Sequence, residues 1–187
     1  MFSPRKVCMM GRLALTAVCF CAVVMAQSPK YKVGRAPTAE EIKTWSISAM
    51  PDGTGLPEGK GSAVEGKDVY SRRCSECHGN ELQGGDTAAL VGGQGTLATP
   101  KPLKTVGSYW SHATTLFDYT NRAMPFDTPG MLTNDQLYAV VAFILFKNGI
   151  VEETDEMNAE TLPKVKMPNA DGFVKDMRPD VGPTASK

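Results

Sequence analysis

The chain has 187 residues, with 20 basic and 20 acidic side chains and a formal net charge of zero at pH 7. This balance excludes the basic footprint of a nucleic-acid-binding domain. The length allows one modest domain with extensions. Five cysteines and two histidines are available for metal or cofactor chemistry.

Residues 1–26 have the pattern of a secretory signal peptide. A basic start precedes an apolar run over 13–25, and Ala26 ends the small-residue pattern that a signal peptidase accepts. The run is shorter than a typical membrane span, although an uncleaved anchor is the alternative. We therefore expect a periplasmic protein with no membrane insertion once the signal is cleaved.

Cleavage after Ala26 changes the chemistry that remains. It removes three basic residues and no acidic ones, leaving 17 basic against 20 acidic side chains. It also removes three of the five cysteines, so the mature chain keeps Cys74 and Cys77. In an oxidising compartment two such thiols form a disulfide unless another chemistry uses them.

The N-terminal extension, residues 27–60, contains one predicted helix and one loop. Thr38 and Glu41 form a capping box that opens a short helix. Residues 51–62 are rich in glycine and proline, which indicates a loop. The main domain is expected to begin at the end of this loop, and we assign it residues 61–150.

The first helix of that domain opens with a capping box of Ser62 and Glu65, and we expect it to end near Cys74. Gly66 lies in its middle, where glycine is unfavourable relative to alanine. Either another helix crosses closely at Gly66 or the position is an accidental weak point. The residues predicted for the inner face are Val64, Val69 and Tyr70.

Cys74-Ser75-Glu76-Cys77-His78 is typical of a c-type haem attachment site. Two thiols at this spacing add to the vinyl groups of haem, and the adjacent histidine becomes an axial iron ligand. The alternatives are half of a zinc site or a redox dithiol. Zinc would need two further ligands, and the mature chain offers His112 alone beyond this motif. We therefore predict one covalently attached haem c.

The remaining elements follow in order. A long glycine-rich loop begins after His78, a helix is expected over about 109–123, and the residue before Pro125 must leave the helix. The last helix begins after Thr133, with Gln136 completing its capping box, and ends at Asn148-Gly149.

Residues 151–187 are polar and proline-rich and are expected to form an extended tail. We favour docking of this tail on a partner protein; packing back on its own domain is the alternative.

Met124 is the predicted sixth ligand of the iron, with His78 as the fifth. Pro125 holds it in an extended segment from which its side chain can reach inward. Five other methionines of the mature chain lack such a placement. A bis-histidine site with His112 is the alternative, although His112 is expected in the first turn of its helix with an exposed or hydrogen-bonded side chain. Three further side chains are candidate donors to the haem propionates: Tyr109, Trp110 and Arg122.

These elements in this order resemble the class I cytochrome c family, and the resemblance covers about residues 61–150. It implies an all-α fold around one haem, with the first and last helices crossing at Gly66 and Phe143. A narrower resemblance, to the cytochrome subunit of Sox-type sulfur dehydrogenase, covers nearly all of 45–180. The segments that carry it are Pro51-Asp52-Gly53-Thr54-Gly55-Leu56-Pro57, Thr105-Val106-Gly107-Ser108-Tyr109-Trp110, Ala113-Thr114-Thr115-Leu116-Phe117-Asp118-Tyr119, Arg122-Ala123-Met124-Pro125-Phe126 and Met167-Pro168-Asn169.

The narrower resemblance implies an electron-transferring, non-catalytic subunit. Its partners would be a molybdenum-containing dehydrogenase subunit that oxidises sulfur compounds and a downstream cytochrome or oxidase. Three features depart from the family pattern: a single haem motif, His112 in place of an aromatic residue, and Ala88 in place of a proline. The last departure concerns the loop whose backbone carbonyl usually accepts the ligand histidine's other N–H.

Two other functions are compatible with a haem protein of this size. One is a small haem enzyme of the peroxidase type, which would require an open axial position on the iron. The other is a free-standing soluble electron carrier for another dehydrogenase. Carbon monoxide binding by the reduced protein separates the first from an electron carrier, because a second axial ligand blocks it.

Overall fold

The computed structural model describes residues 34–174 and residue 176, so the predicted signal peptide lies outside the described residues. The chain divides between Ile42 and Lys43 into two units. In the first, Thr38 and Glu41 form the predicted capping box, with the Glu41 N–H donating to Thr38 Oγ1 at 3.2 Å. Helix α1, Ala39–Trp45, begins there.

The second unit is helical, as predicted. Its helices are α2 (Ala63–Arg73), the short α3 (Ser75–His78), α4 (Ala113–Ala123) and α5 (Asn134–Lys147), with a 3-10 turn over Leu162–Lys164. A two-residue strand β1, Lys60–Gly61, pairs antiparallel with β2, Met157–Asn158. This pairing joins the residues before α2 to the tail.

Capping chemistry sets the ends of the two crossing helices as the sequence predicted. Ser62 and Glu65 form the capping box of α2, and the Ser62 N–H donates to the Glu65 carboxylate at 2.8 Å. Thr133 and Gln136 form that of α5, which stops at Asn148. Both boxes satisfy backbone N–H groups that the first turn of a helix leaves without partners.

Helix α5 forms the centre of the core, and α2 crosses it at Gly66. A side chain at Gly66 would overlap the backbone carbonyl of Ala139 and lie 2.8 Å from Phe143 Cβ. The rings of Tyr70 and Phe143 lie 5.3 Å apart beside this crossing. The close approach of a second helix is therefore the reason for the mid-helix glycine. The buried residues of α5 are Leu137, Tyr138, Ala139, Val140, Val141, Ala142, Phe143, Ile144 and Leu145.

The prediction that Val64 lies on the inner face of α2 is wrong. Val64 is 55% exposed, whereas Ala63, Gly66 and Tyr70 are buried. The crossing at Gly66 selects the positions three and four residues from it, and Val64 falls outside that stripe. Val69 is buried as predicted.

Replacing Gly66 with alanine is expected to lower the unfolding free energy by at least about 2 kcal/mol, because overpacking against backbone forces the helices apart. At a solvent-exposed helical position the same change would stabilise by up to about 1 kcal/mol. Ser71→Ala, on the exposed side of α2, is the matched control. Chemical denaturation of both variants measures the difference, and equal stability of Gly66→Ala and the parent would contradict the crossing.

The tail packs back on the unit as far as residue 173. Met157, Leu162 and Met167 are 4%, 0% and 1% exposed and belong to the same core as α5. Asn169 donates from its side-chain amide to the Tyr109 carbonyl at 2.7 Å. Packing on the domain, the alternative to partner docking that the sequence left open, thus replaces the favoured interpretation for this segment.

Candidate haem site

Cys74, Cys77 and His78 lie on one turn at the end of α2. The Cys74 N–H closes that helix on the Tyr70 carbonyl at 2.9 Å, and α3 then carries Cys77 and His78. Cys74 is half-buried, Cys77 is exposed, and neither forms a disulfide. The motif therefore presents two free thiols next to an imidazole.

The surroundings of the two cysteines bear on the zinc alternative. Burial, with a smaller contribution from Cys77, raises the pKa of the Cys74 thiol to about 11. A structural zinc site would need two further ligands beside the two thiols. Over residues 34–174 and residue 176, no group of three or more His, Cys, Asp or Glu side chains is arranged to hold a metal ion.

His78 is oriented through its Nδ1 atom. That nitrogen lies 3.1 Å from the Ala88 carbonyl oxygen and 2.9 Å from Thr87 Oγ1. A carbonyl only accepts hydrogen bonds, so Nδ1 carries the proton and the lone pair of Nε2 is free to bind iron. Ala88, in place of the family proline, still supplies the backbone carbonyl. Two free thiols and an available Nε2 form a donor set that fits haem c.

Met124 lies directly after α4, at the helix end that Pro125 predicted. It is the C-cap of that helix, with extended backbone angles of φ −128° and ψ 146°, and its N–H donates to the Thr120 carbonyl at 3.1 Å. Met124 is partly buried and Pro125 is buried. His112 is the exposed N-cap of the same helix.

The three candidate propionate donors have other partners in this structure. The Tyr109 ring lies 4.9 Å beneath the Lys104 ammonium and 5.3 Å from the Phe173 ring. Trp110 meets the edge of Tyr119 at 5.7 Å. Their contact with a propionate stays a prediction.

Arg122 is held by an acidic neighbour. Its guanidinium donates to both carboxylate oxygens of Asp118, at 3.0 and 2.7 Å, and to Ser48 Oγ at 3.1 Å. This pairing keeps the pKa of Asp118 below its ordinary value, and Asp118 also accepts from the Ala49 N–H at 2.7 Å. The pair joins residues 48–49 to α4. The sequence did not predict this role for Arg122.

Two residues of this region were not found from the sequence. The Thr87 hydroxyl contacts both His78 and the Cys77 carbonyl. The Asn148 amide donates to the Leu90 carbonyl at 3.1 Å and so fastens the glycine-rich loop to the end of α5. Neither a threonine in a loop nor an asparagine at a helix end signals such a role, because both are common there.

The lengths of the described helices show whether any of them could span a membrane. The longest, α5, has 14 residues. Over the part of the chain that the structure describes, no helix is long and apolar enough to cross a membrane.

Comparison with known proteins agrees with this geometry. Residues 61–144 match the family described as cytochrome C oxidase, cbb3-type, subunit III. The chain is similar to one chain in the crystal structure of the sulfane dehydrogenase SoxCD from Paracoccus pantotrophus. The two are 40% identical, the alignment covers 84% of this chain and 79% of that one, and the TM-score is 0.75. No curated protein gives a significant match.

Proposed function

Because this chain belongs to the c-type cytochromes, with the class I fold and an electron-transfer role, we propose that it is the periplasmic cytochrome subunit of a sulfur-compound-oxidising dehydrogenase. In this role it is a non-catalytic carrier. Its electrons come from a molybdenum-containing subunit and pass to a downstream cytochrome or oxidase. The proposed haem domain spans residues 61–150.

The observation that carries the proposal is the similarity to the SoxCD structure. Identity of 40% extends over 84% of this chain, well beyond the haem domain. The alignment is therefore longer than the haem domain and includes part of its extensions. A haem domain alone would be compatible with many electron carriers, whereas similarity beyond it supports a similar function.

The proposed roles of the site residues follow from their positions. Cys74 and Cys77 attach one haem c through thioether bonds, His78 Nε2 and Met124 Sδ are the axial ligands, and Tyr109, Trp110 and Arg122 serve the propionates. When bound, haem supplies an iron that accepts and releases one electron. His78 and Met124 would both bind the iron, and Tyr109, Trp110 and Arg122 would receive the charged propionates.

The decisive experiment identifies the partner. A tagged chain, purified from its native periplasm, is expected to bring down a molybdenum-containing subunit, and that complex should reduce the haem when a sulfur compound is supplied. Rapid-mixing spectroscopy of the haem bands measures the reduction. Recovery of the monomer alone, reduced equally well by an unrelated dehydrogenase, would favour the free-standing carrier.

Met124 is expected to be the sixth ligand. Replacing it with alanine should abolish the weak absorption toward the near infrared that iron–thioether ligation gives in the oxidised protein. It should also lower the reduction potential, since methionine raises the potential relative to other axial ligands. His112→Ala is the control and should change neither property.

The same pair of variants tests the enzyme alternative. Reduced wild-type protein should not bind carbon monoxide, whereas Met124→Ala should bind it at the opened position. Carbon monoxide binding by the wild type would support a haem enzyme of the peroxidase type. Absence of the band in the wild type, with a haem spectrum that changes in His112→Ala but not in Met124→Ala, would indicate a bis-histidine site.

A further inference from the structure

The His78 ring has two oxygen neighbours at one nitrogen. Nδ1 lies 3.1 Å from the Ala88 carbonyl oxygen and 2.9 Å from Thr87 Oγ1. The first corresponds to the backbone acceptor that the family resemblance implies. The second is a side-chain hydroxyl, and its contribution depends on which atom donates the proton.

The contacts of Thr87 settle that direction. Its hydroxyl lies 3.0 Å from the Cys77 carbonyl oxygen, which can only accept, so the single hydroxyl proton donates there. The Thr87 N–H donates to the same carbonyl at 3.2 Å. The lone pairs of Oγ1 are then left for His78, and the Nδ1–H is shared between Oγ1 and the Ala88 carbonyl.

We propose that Thr87 is a positioning residue that fixes the His78 ring and lowers the reduction potential of the iron. An N–H that donates to two acceptors leaves more negative charge on the imidazole, which makes Nε2 a more basic ligand and favours the oxidised metal. Thr87 also contacts the proposed attachment motif, because its hydroxyl and its N–H both donate to the carbonyl of Cys77. The inference rests on His78 as the axial ligand of the proposed function.

Two substitutions separate the hydroxyl from the shape of the side chain. Thr87→Val keeps the branched shape and removes the acceptor, so the reduction potential of the holoprotein should shift upward. Thr87→Ser keeps the hydroxyl and should return the potential to the wild-type value. Thr99→Val is the matched control: it removes a hydroxyl that donates to the Thr96 carbonyl at 2.7 Å in the same loop, and it should leave the potential unchanged.

A role limited to holding the loop would give another pattern. If Thr87→Val lowers the melting temperature without shifting the potential, or if Thr87→Ser shifts it as much as Thr87→Val, the proposal is overturned. A measurement on the wild type stands independently of variant folding. The Nδ1 proton of His78 in the reduced protein should exchange slowly with solvent by NMR, and fast exchange would also overturn the proposal.

Failure of this inference differs from failure of the proposed ligand. If His78 is not the ligand, His78→Ala leaves the haem spectrum unchanged, and the premise of the Thr87 effect is gone. If His78 is the ligand but Thr87 does not act on it, His78→Ala changes the spectrum while Thr87→Val leaves the potential at the wild-type value.

Discussion

A chain carrying both Cys74→Ala and Cys77→Ala is expected to lose its haem completely on a denaturing gel, where the wild type keeps it. The expectation follows from the chemistry of the turn. Both cysteines are free, and partial burial raises the pKa of the Cys74 thiol to about 11. Without the two proposed thioether bonds, only axial ligation and packing would hold the cofactor, and denaturation removes both.

Glu76→Ala is the control for this pair. Glu76 is exposed and lies between the two cysteines, so its removal leaves both thiols in place and the gel band should persist. Extraction of haem from intact wild-type protein by acidic acetone would show that the bond is not covalent. The wild-type result tests attachment, and the variants assign it to these two sulfur atoms.

The ends of the helices were predictable from local chemistry. Ser62 with Glu65 and Thr133 with Gln136 are capping boxes that require no distant partner, and the structure contains both. Met124 was predicted to leave the helix because proline constrains the residue before it, and it is extended as expected. Such features depend on residues within one turn of each other.

Contacts between residues far apart in the chain account for the features that local sequence patterns did not predict. Helix α4 begins at Ala113 rather than near 109, because its N-cap His112 has an extended backbone with φ −138° and ψ 136°. Trp110 therefore precedes the helix, and the Tyr109 carbonyl accepts from Asn169, sixty residues further along the chain. Thr87 reaches His78 across a loop whose path is set by positive-φ glycines such as Gly79 and Gly84. No local pattern encodes these pairs.

The packing of the tail also depends on distant contacts. Its polar, proline-rich composition predicted an extended segment but did not distinguish a partner surface from the domain's own core. Burial decides between them for the described part of the tail. Leu162 is fully buried, and Pro163 lies against Gly53, where a side chain would come 2.5 Å from its Cγ atom. Gly53 has φ +91° and no side chain, which lets Pro163 approach the backbone of the loop 51–57.

The same loop is fixed from its other side by the core. Tyr138, in the middle of α5, donates its hydroxyl to the Pro57 carbonyl at 2.8 Å, and burial raises the pKa of that hydroxyl to about 12. The Tyr138 ring lies 4.7 Å from Phe117 of α4. Loop, tail, α4 and α5 therefore form one connected packing unit. Removal of the tail is expected to weaken the packing of α4, the helix that precedes Met124.

Truncation after Val151 is expected to destabilise the protein severely. It removes the side chains of Met157, Leu162 and Met167, each of which contributes about 1.5–3 kcal/mol by burial. The net loss is smaller than their sum, because the deleted residues no longer need to be ordered. Even half of it is a large share of a total stability of about 5–15 kcal/mol. Thermal unfolding of the holoprotein should therefore show a much lower melting temperature.

Two further chains make this prediction specific. Truncation after Val174, a residue that is 91% exposed, should lower the melting temperature far less, because all three buried side chains remain. Leu162→Ala in the full chain should cost about 2–5 kcal/mol, as large-to-small core substitutions do. A chain cut after Val151 that melts like the full chain and keeps Met124 ligation, but no longer accepts electrons from its dehydrogenase, would contradict the structural role. In that case the buried contacts contribute little, and partner docking would be the function of the tail after all.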